Sequence, residues 1–292
     1  MGETTLQQAL DDYKAIYMPY RNFADRTRVE YHNDLEDLAK YLHRVGIGSV
    51  AGLGLPIIER YVAQLEERGL ASLTRKRKVV AIRSFLSFLY QDGYIGINLA
   101  ARIVLPFTES STPHVLTRRE CDRLRSACAG SARDAAIFEL LLQTGIRLSE
   151  LVRLTLDDVE MGQTNHKGES CDGFVRILGS RGRKERMMPL DAGACLTLRN
   201  YMSTRNETQT SVLFLNRFGE PLGERGVQKV LKKHIKKAAI GRASIHTLRH
   251  TFGARRMAAG ATLKTIQESM GHKDPRSTSI YASFANYKEV GA

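Results

Sequence analysis

The chain has 292 residues, of which 42% are hydrophobic and 26% are charged, a composition typical of a globular protein with well-formed cores. No apolar run approaches the roughly 20 residues that span a bilayer, and the polar, acidic N-terminus lacks the pattern of a signal peptide. We therefore exclude the membrane and secreted classes and expect a cytoplasmic protein. Since a single domain usually has about 100–200 residues, two domains are expected.

The charge is strongly basic and unevenly distributed. Lysine and arginine number 44 against 31 acidic residues, a net charge of +13. Residues 1–110 hold 14 bases and 13 acids, whereas 111–292 hold 30 and 18, so that the second part carries +12. This asymmetry favours a polyanionic partner, most commonly nucleic acid, over a merely soluble basic surface.

The cysteines show no spacing typical of a metal or redox motif. None of Cys121, Cys128, Cys171 and Cys195 forms a CxxC pair, and a chain of this length needs no disulfide framework. We expect four reduced thiols.

The first 105 residues have the apolar spacing of helices separated by short breaks. Helices are predicted over 27–45, 55–68 and 72–91, with Gly69 as a stop signal. The last of these helices begins with a run of cations, Arg75, Lys76, Arg77 and Lys78. Because like charges in one helical turn repel each other, the run indicates either a nearby phosphate backbone or a solvated face.

The segment most typical of an interdomain linker begins about a third of the way along the chain. Residues 106–116 contain two prolines and a small polar cluster, and the Thr117-x-x-Glu120 capping box that follows predicts the start of a helix. We expect a helical domain over 1–106, a linker over 107–116 and a second domain over 117–292.

The second domain has a mixed pattern. Helices are predicted over 117–128, 132–144, 191–203 and 224–239 and from 246 onward, and strand-like runs over 155–160, 174–179 and 185–190. A turn rich in Arg, Lys and Gly, Ser180–Lys184, separates the last two runs. In the helix over 224–239, apolar residues form an inner stripe, and lysines that include Lys229 and Lys233 form the outer surface.

Three patches of this domain place cations or imidazoles where a simple core would not need them. The first contains Arg147 and Glu150, the second His246 and Arg249 at helical spacing, and the third a Gly-His pair followed by Tyr281 nine residues after the His. An arginine fork suits a phosphate, and an acidic neighbour can hold it in place. Each patch alone is more often an ordinary structural feature, but their joint occurrence in a basic domain indicates a shared site.

These segments resemble the boxes of the tyrosine site-specific recombinases, the phage-integrase or Xer/Cre-like family. TGIRLSEL (144–151) resembles the first box, HTLRHTFGARRMAAG (246–260) the second, and IQESMGHKDPRSTSIYASF (266–284) the third. The resemblance covers essentially the whole chain. It implies an all-α N-terminal core-binding (SAM-like) domain and a mainly α catalytic domain with a small antiparallel β-sheet.

The resemblance also implies a catalytic set. Arg147 and Arg249 match the arginines that clamp the phosphate, His246 the residue that assists proton transfer, and His272 the histidine that hydrogen-bonds the phosphate. Tyr281 matches the nucleophile and Glu150 the acid that supports the first arginine. The family's lysine, which protonates the leaving oxygen, falls at Arg181, and either Arg181 or Lys184 is expected to fill its place. Arginine is a poor proton donor.

The resemblance implies DNA strand exchange through a 3′-phosphotyrosyl intermediate and a Holliday junction. The expected partner is double-stranded DNA with inverted-repeat core sites, bound at the nucleoid. The enzyme is expected to act on that DNA as a homotetramer, together with accessory proteins. The sequence offers no carboxylate cluster for a metal, so no metal and no other cofactor is expected. The DNA contacts are expected at Arg75, Lys76, Arg77, Lys78, Arg183, Lys229 and Lys233.

Two other functions are kept as alternatives: a type IB topoisomerase-like DNA relaxing enzyme, and a catalytically weak sequence-specific DNA-binding protein. Within the recombinases, about 105 residues before the linker leave no room for an arm-site-binding domain. This favours a simple Xer-like enzyme, or the integrase or resolvase of a mobile element.

Overall fold

The computed structural model describes residues 4–108, 112–162, 173–179 and 185–285. The chain divides into two compact units, residues 1–110 and 111–292, and each unit has its own hydrophobic core. Within the described ranges, every helix is too short or too polar to cross a bilayer.

The first unit is helical, and its three long helices lie within two residues of the predicted bounds. Its helices are α1 (Leu6–Asp12), α2 (Met18–Tyr20), α3 (Asp25–Arg44), α4 (Leu55–Glu67) and α5 (Ser72–Gln91), with a π-helical turn at Tyr13–Tyr17. Gly69 follows α4 with φ +69°, a left-handed conformation that ends a helix and favours glycine. The predicted apolar face of α5, which includes Val79, Ile82 and Leu86, is fully buried.

The cation run at the start of α5 is held mainly by carboxylates of the same unit. Lys78 is buried, and its Nζ lies 2.8 Å from Asp37 Oδ2 and 3.3 Å from Asp34 Oδ1. The expectation that Lys78 contacts DNA is therefore wrong, because its ammonium group is enclosed between two acids of α3.

The other three cations of the run are partly exposed. Arg77 also pairs with Asp34, and Arg75 Nη1 lies 2.7 Å from Glu66 Oε1. Lys76 Nζ donates to Thr108 Oγ1 at 3.2 Å. Their contact with DNA stays a prediction.

The second unit is mainly helical around a small sheet. Its helices are α6 (Arg118–Cys128), α7 (Ala132–Thr144), α8 (Leu148–Leu151), α9 (Ala192–Thr204), α10 (Glu224–Lys237), α11 (Ile245–Ala258), α12 (Leu263–Met270) and α13 (Arg276–Ser279), followed by a 3₁₀ turn, Ile280–Phe284. The predicted capping box begins α6: the Thr117 side chain accepts from Glu120 N, and the Glu120 side chain accepts from Thr117 N.

Three short strands form an antiparallel sheet in the order β1-β2-β3. They are β1 (Val159–Glu160), β2 (Gly173–Ile177) and β3 (Arg186–Leu190), and Val175 in the central strand lies opposite Val159 and Met188. The predicted strand over 155–160 is wrong in its first part. There, Asp158 Oδ2 accepts from the Thr155 amide at 2.9 Å and caps a 3₁₀ turn, which leaves only two residues for the strand.

The core of the second unit lies around α7, which packs against α9 and α11. Val115 and Leu116, at the end of the expected linker, belong to this core, and the Leu116 amide donates to Thr251 Oγ1 at 2.9 Å. Cys121 and Cys128 are buried free thiols, Cys195 is buried, and Cys171 lies outside the described residues. Tyr281 in the terminal 3₁₀ turn is also part of the core.

Candidate active site

The end of α7 sets the position of Arg147. Gly145 caps the helix with φ +56°, and a Cβ there would lie 2.5 Å from Phe252 Cδ1, so the turn requires glycine. Two residues later, Arg147 precedes α8, and Glu150 in the first turn of α8 accepts from the Arg147 amide at 3.1 Å and from its Nη1 at 3.0 Å. The backbone and the side chain of Arg147 are thus fixed by one carboxylate.

Glu150 is buried and shared with a second arginine. Arg186 Nη2, from the first residue of β3, donates to Glu150 Oε2 at 2.8 Å. Burial alone would raise the pKa of Glu150, but the hydrogen bonds and charges of Arg186 and Arg147 hold it below its usual value. The carboxylate therefore stays ionised and able to orient both guanidinium groups.

Helix α11 brings a third guanidinium to the same place. Arg249 is buried and donates to the carbonyl oxygens of Gly145 and Met270, the latter at 2.5 Å. Burial and the nearby charge of Arg147 lower the pKa of Arg249 to about 9, so that it is still protonated at neutral pH. The site contains three arginines and only one carboxylate, Glu150, so it carries an excess positive charge that favours an anion.

His272 lies beside these arginines, directly after α12. Its amide donates to Gln267 O at 3.0 Å, and its Nδ1 lies 2.8 Å from Thr278 Oγ1. A hydrogen bond at Nδ1 leaves Nε2 for another partner. Burial, and the charges of Arg249 and Arg147, lower the pKa of His272 to about 4, so the ring is neutral at physiological pH.

Tyr281 packs against α11 with its hydroxyl group next to His250. The residue is fully buried, and its Oη lies 2.9 Å from His250 Nδ1. Its ring covers Gly253, where a Cβ would lie 2.6 Å from the ring atoms Cε1 and Cζ. Burial raises the pKa of Tyr281 to about 12, against the opposing effect of Arg249, so the phenol is protonated in this position.

Chemically, the cluster suits a phosphodiester. Guanidinium groups that are fixed before the reaction stabilise charge that develops on non-bridging oxygens, and a phenol can act as the nucleophile. In the described part of the chain, no group of three or more His, Cys, Asp and Glu side chains has an arrangement suited to a metal ion.

Comparison with known proteins identifies the fold and the family. Residues 114–287 match the model of the phage integrase family, and residues 10–93 match that of the phage integrase N-terminal SAM-like domain. The chain belongs to the phage integrase family. It is a tyrosine recombinase, with an N-terminal SAM-like domain and a catalytic domain that carries a small antiparallel sheet.

Its relatives are Xer recombinases. The tyrosine recombinase XerC of Pelotomaculum thermopropionicum is 32% identical over 291 residues, which cover 93% of this chain and 92% of the relative. XerD of Halalkalibacterium halodurans is 32% identical over 288 residues, which cover 95% and 93%. The chain is therefore a site-specific tyrosine recombinase of the Xer-like type.

Solved structures share its fold at low sequence identity. A lambda integrase (residues 75–356) dimer bound to a COC′ core site superposes with a TM-score of 0.76 at 18% identity and covers 95% of each chain. XerH bound to a palindromic difH substrate has a TM-score of 0.75 at 19% identity and covers 94% of this chain and 81% of XerH.

The structure gathers most of the residues predicted for the recombinase site in one place. Arg147, Arg249, Glu150 and His272 form a single cluster, and Tyr281 lies beside it, packed against α11 at Gly253. His246 is exposed on α11, one turn before His250. Lys229 and Lys233 are exposed on α10. The predicted residues Arg181, Arg183 and Lys184 lie outside the described residues.

Two polar side chains of the cluster were not assigned from the sequence. His250 directly follows the second-box arginine, so it was visible in the motif, but its contact with Tyr281 depends on how the terminal 3₁₀ turn folds back. Arg186 lies two residues after Lys184, and no role was predicted for it. Neither contact has a signal in local spacing, because each joins elements that are distant along the chain.

Proposed function

We propose that Tyr281 attacks a DNA phosphodiester that is held by Arg147, Arg249 and His272. The observation that carries this assignment is the convergence of both arginines on one helix end, next to His272. There, Arg147 Nη2 donates to Gly271 O at 2.6 Å, and Arg249 Nη2 donates to Met270 O at 2.5 Å. The proposed nucleophile, in the 3₁₀ turn Ile280–Phe284, packs against the helix that carries Arg249, one turn further along at Gly253.

The reaction consists of two balanced transesterifications. Tyr281 Oη forms a bond to phosphorus while the bond from phosphorus to the 5′ oxygen breaks, which gives a 3′-phosphotyrosyl link and a free 5′ hydroxyl. The phenolic proton leaves with the help of His246, and the leaving oxygen takes a proton from Arg181 or Lys184. A 5′ hydroxyl of a partner strand then reverses the step, so that neither water nor ATP is consumed.

The partner we propose is double-stranded DNA with inverted-repeat core sites, bound at the nucleoid. The excess of basic residues in 111–292 supports a phosphate backbone as the partner. The related structures include lambda integrase bound to a COC′ core site, XerH bound to a palindromic difH substrate and a lambda integrase tetramer bound to a Holliday junction. By analogy, we propose that four copies act on two sites through a Holliday junction, together with accessory proteins.

Assembly can be tested by sizing the protein with and without its DNA. Each copy supplies one Tyr281, and exchange between two duplexes needs four cleavages. We expect a monomer in solution and a tetramer on paired sites. A stable tetramer without DNA would contradict the first expectation, and strand exchange by a dimer would contradict the second.

The nucleophile is tested with a nicked DNA substrate that traps the covalent intermediate, because the short strand released after cleavage diffuses away. Tyr281→Phe removes one oxygen and keeps the packed ring, so that fold and DNA affinity should persist while the adduct disappears. Peptide mapping of the wild-type adduct should find DNA on Tyr281. An adduct on Tyr287, the tyrosine six residues further along the chain, or one formed by Tyr281→Phe, would refute the assignment.

Assays of the wild-type protein also distinguish the two alternative functions. A type IB topoisomerase-like enzyme would relax supercoiled plasmids that lack any specific site, whereas a site-specific recombinase requires its sequence. A catalytically weak DNA-binding protein would bind the site and form no adduct. Selection of bound sites from random DNA would supply the sequence for these assays.

A further inference from the structure

The end of α12 gathers three arginines. The carbonyl oxygens of three consecutive residues, Ser269, Met270 and Gly271, accept hydrogen bonds from Arg186, Arg249 and Arg147, respectively. The C-terminal end of a helix carries unsatisfied carbonyls and a partial negative charge, which stabilises cations placed there. Two of the three guanidinium groups belong to the proposed phosphate clamp. The third, from Arg186, has no place in that mechanism.

All three nitrogens of Arg186 have partners inside the protein. Nε donates to Ser269 O at 2.7 Å, Nη2 to Glu150 Oε2 at 2.8 Å and Nη1 to Glu150 Oε1 at 3.4 Å, and only 10% of the side chain is exposed. Three of its five N–H donors are therefore used inside the protein, on a side chain that is almost completely buried. Its contacts link β3, α8 and the end of α12.

Glu150 connects Arg186 to Arg147. Its side chain is 1% exposed, and it accepts from Arg147 Nη1 on the same oxygen that faces Arg186 Nη1. Loss of Arg186 would leave a buried carboxylate with one guanidinium partner instead of two. A buried group that loses a charged partner shifts its position or takes up a proton, and either change would release the fork of Arg147.

We propose that Arg186 is a positioning residue that fixes the phosphate-binding fork of Arg147 through Glu150 and the C-terminal end of α12. This inference rests on the proposed function of Arg147. Arg186 is also the first residue of β3, and it lies two residues after Lys184 and five after Arg181, the two candidates for the family's lysine position. Strand β3 is therefore tied by one side chain to the arginine clamp.

A double-mutant cycle tests the coupling. The rate of adduct formation is measured in single turnover at saturating nicked DNA. Four proteins are compared: wild type, Arg186→Gln, Arg147→Ala and the double variant. Because the nicked substrate traps the adduct irreversibly, slow variants can be followed for hours. Outer-shell partners of metal ligands typically contribute about 10–100-fold, and we expect Arg186→Gln to slow cleavage by a similar factor. In the Arg147→Ala background, the same change should cost less than about 3-fold, because interacting residues are not additive.

A matched control separates positioning from simple stability. Arg125→Gln also removes an arginine from a buried glutamate of this unit, since Arg125 Nε donates to Glu139 Oε1 at 2.6 Å and Glu139 is 9% exposed. It should lower the melting temperature and leave the cleavage rate at a permissive temperature unchanged. Arg186→Lys keeps one charge without the fork and should recover part of the rate; if Arg186→Gln does not fold, the cycle is run with this variant.

The outcomes are distinct. If Arg186→Gln costs the same factor with and without Arg147, it does not act through that arginine and the inference is refuted. If Arg186→Gln and Arg125→Gln change rate and stability alike, Arg186 has only a structural role and the inference is also refuted. If Arg147→Ala itself cleaves at the wild-type rate, the proposed function fails first, and that result is visible before the double variant is read.

Discussion

Gly253 provides a direct way to move the proposed nucleophile. The residue lies inside α11, and the ring of Tyr281 packs on its backbone so closely that an added Cβ would lie 2.6 Å from Cε1 and Cζ and 2.9 Å from Cε2. Real Cβ atoms do not approach ring carbons to that distance. Gly253→Ala therefore forces the Tyr281 ring to shift, since the ring lies on a short 3₁₀ turn while α11 is held in the core.

The size of the effect follows from two opposing contributions. Overpacking a core by one methyl group costs about 1–3 kcal/mol. Alanine is a better helix former than glycine by about 1 kcal/mol, which offsets part of that cost. The buried position of Tyr281 should lose up to roughly 2 kcal/mol, which corresponds to a factor of up to about 30 in its population relative to displaced positions.

This shift should accelerate cleavage. A fully buried tyrosine cannot contact a DNA phosphate, so Tyr281 has to leave its position against Gly253 before it can react. If this release limits the reaction, Gly253→Ala should form the covalent adduct faster, up to about 30-fold, while its melting temperature falls. The assay is the single-turnover rate on nicked DNA at saturation, with DNA affinity measured separately.

The control removes the ring. In a Tyr281→Ala background the clash is absent, so that Gly253→Ala should be neutral or stabilising through helix propensity. A destabilisation that persists in this background would show that the methyl group clashes elsewhere. A slower adduct in Gly253→Ala, at unchanged DNA affinity, would show that the buried position of Tyr281 is the reactive one and would refute the reasoning.

Two further predictions concern DNA contacts and the leaving group. Lys229→Gln and Lys233→Gln should weaken DNA binding at constant melting temperature, and each should reduce the slope of log affinity against log salt by about one; an unchanged slope would remove that lysine from the interface. Lys184→Ala or Arg181→Ala, whichever removes the proton donor, should cleave ordinary DNA slowly but recover on DNA with a 5′ sulfur leaving group, since a thiolate leaves without a proton. Recovery of neither variant would place the donor elsewhere.

The sequence was sufficient for the elements whose signal is local. Apolar periodicity located α3, α4 and α5, and the Thr117-x-x-Glu120 pattern located the start of α6, because both depend on residues within one or two turns. The three boxes predicted the catalytic residues as a set, by their order and spacing. Only folding shows which of them share a partner.

Contacts between distant elements left no such signal. Arg186 and Glu150 are separated by 36 residues, and His250 and Tyr281 by 31, so no periodicity connects them. The fit of Tyr281 on Gly253 depends on the way the last turn folds back, and a glycine within a helical pattern says nothing about what covers it. The sequence also could not show that the cation run on α5 faces carboxylates on a neighbouring helix.

Lys78, the buried cation of that run, leads to a prediction about how the stability of the fold changes in acid. Asp37 accepts hydrogen bonds from Lys78 at 2.8 Å and from Tyr61 at 2.9 Å. Burial opposes the charge of Asp37, but hydrogen bonds from Lys78, Arg68 and Tyr61 outweigh it and lower the pKa of Asp37 to about 2. Burial of Asp34, in contrast, outweighs the charges of Lys78 and Arg77 and raises its pKa.

These opposite shifts have opposite consequences for stability. A carboxylate with a depressed pKa stabilises the fold above its ordinary pKa near 4, and this contribution is lost as the pH falls toward 2. Asp37→Asn should therefore cost about 2 kcal/mol at pH 7 and progressively less below pH 4, measured by denaturation of the full chain. Asp34→Asn is the matched control, because its raised pKa predicts no such loss of effect in acid. An Asp37→Asn cost that stays constant from pH 7 to pH 2.5 would show that Lys78 does not stabilise the ionised form of Asp37, and the reassignment of Lys78 from DNA contact to internal ion pair would fail with it.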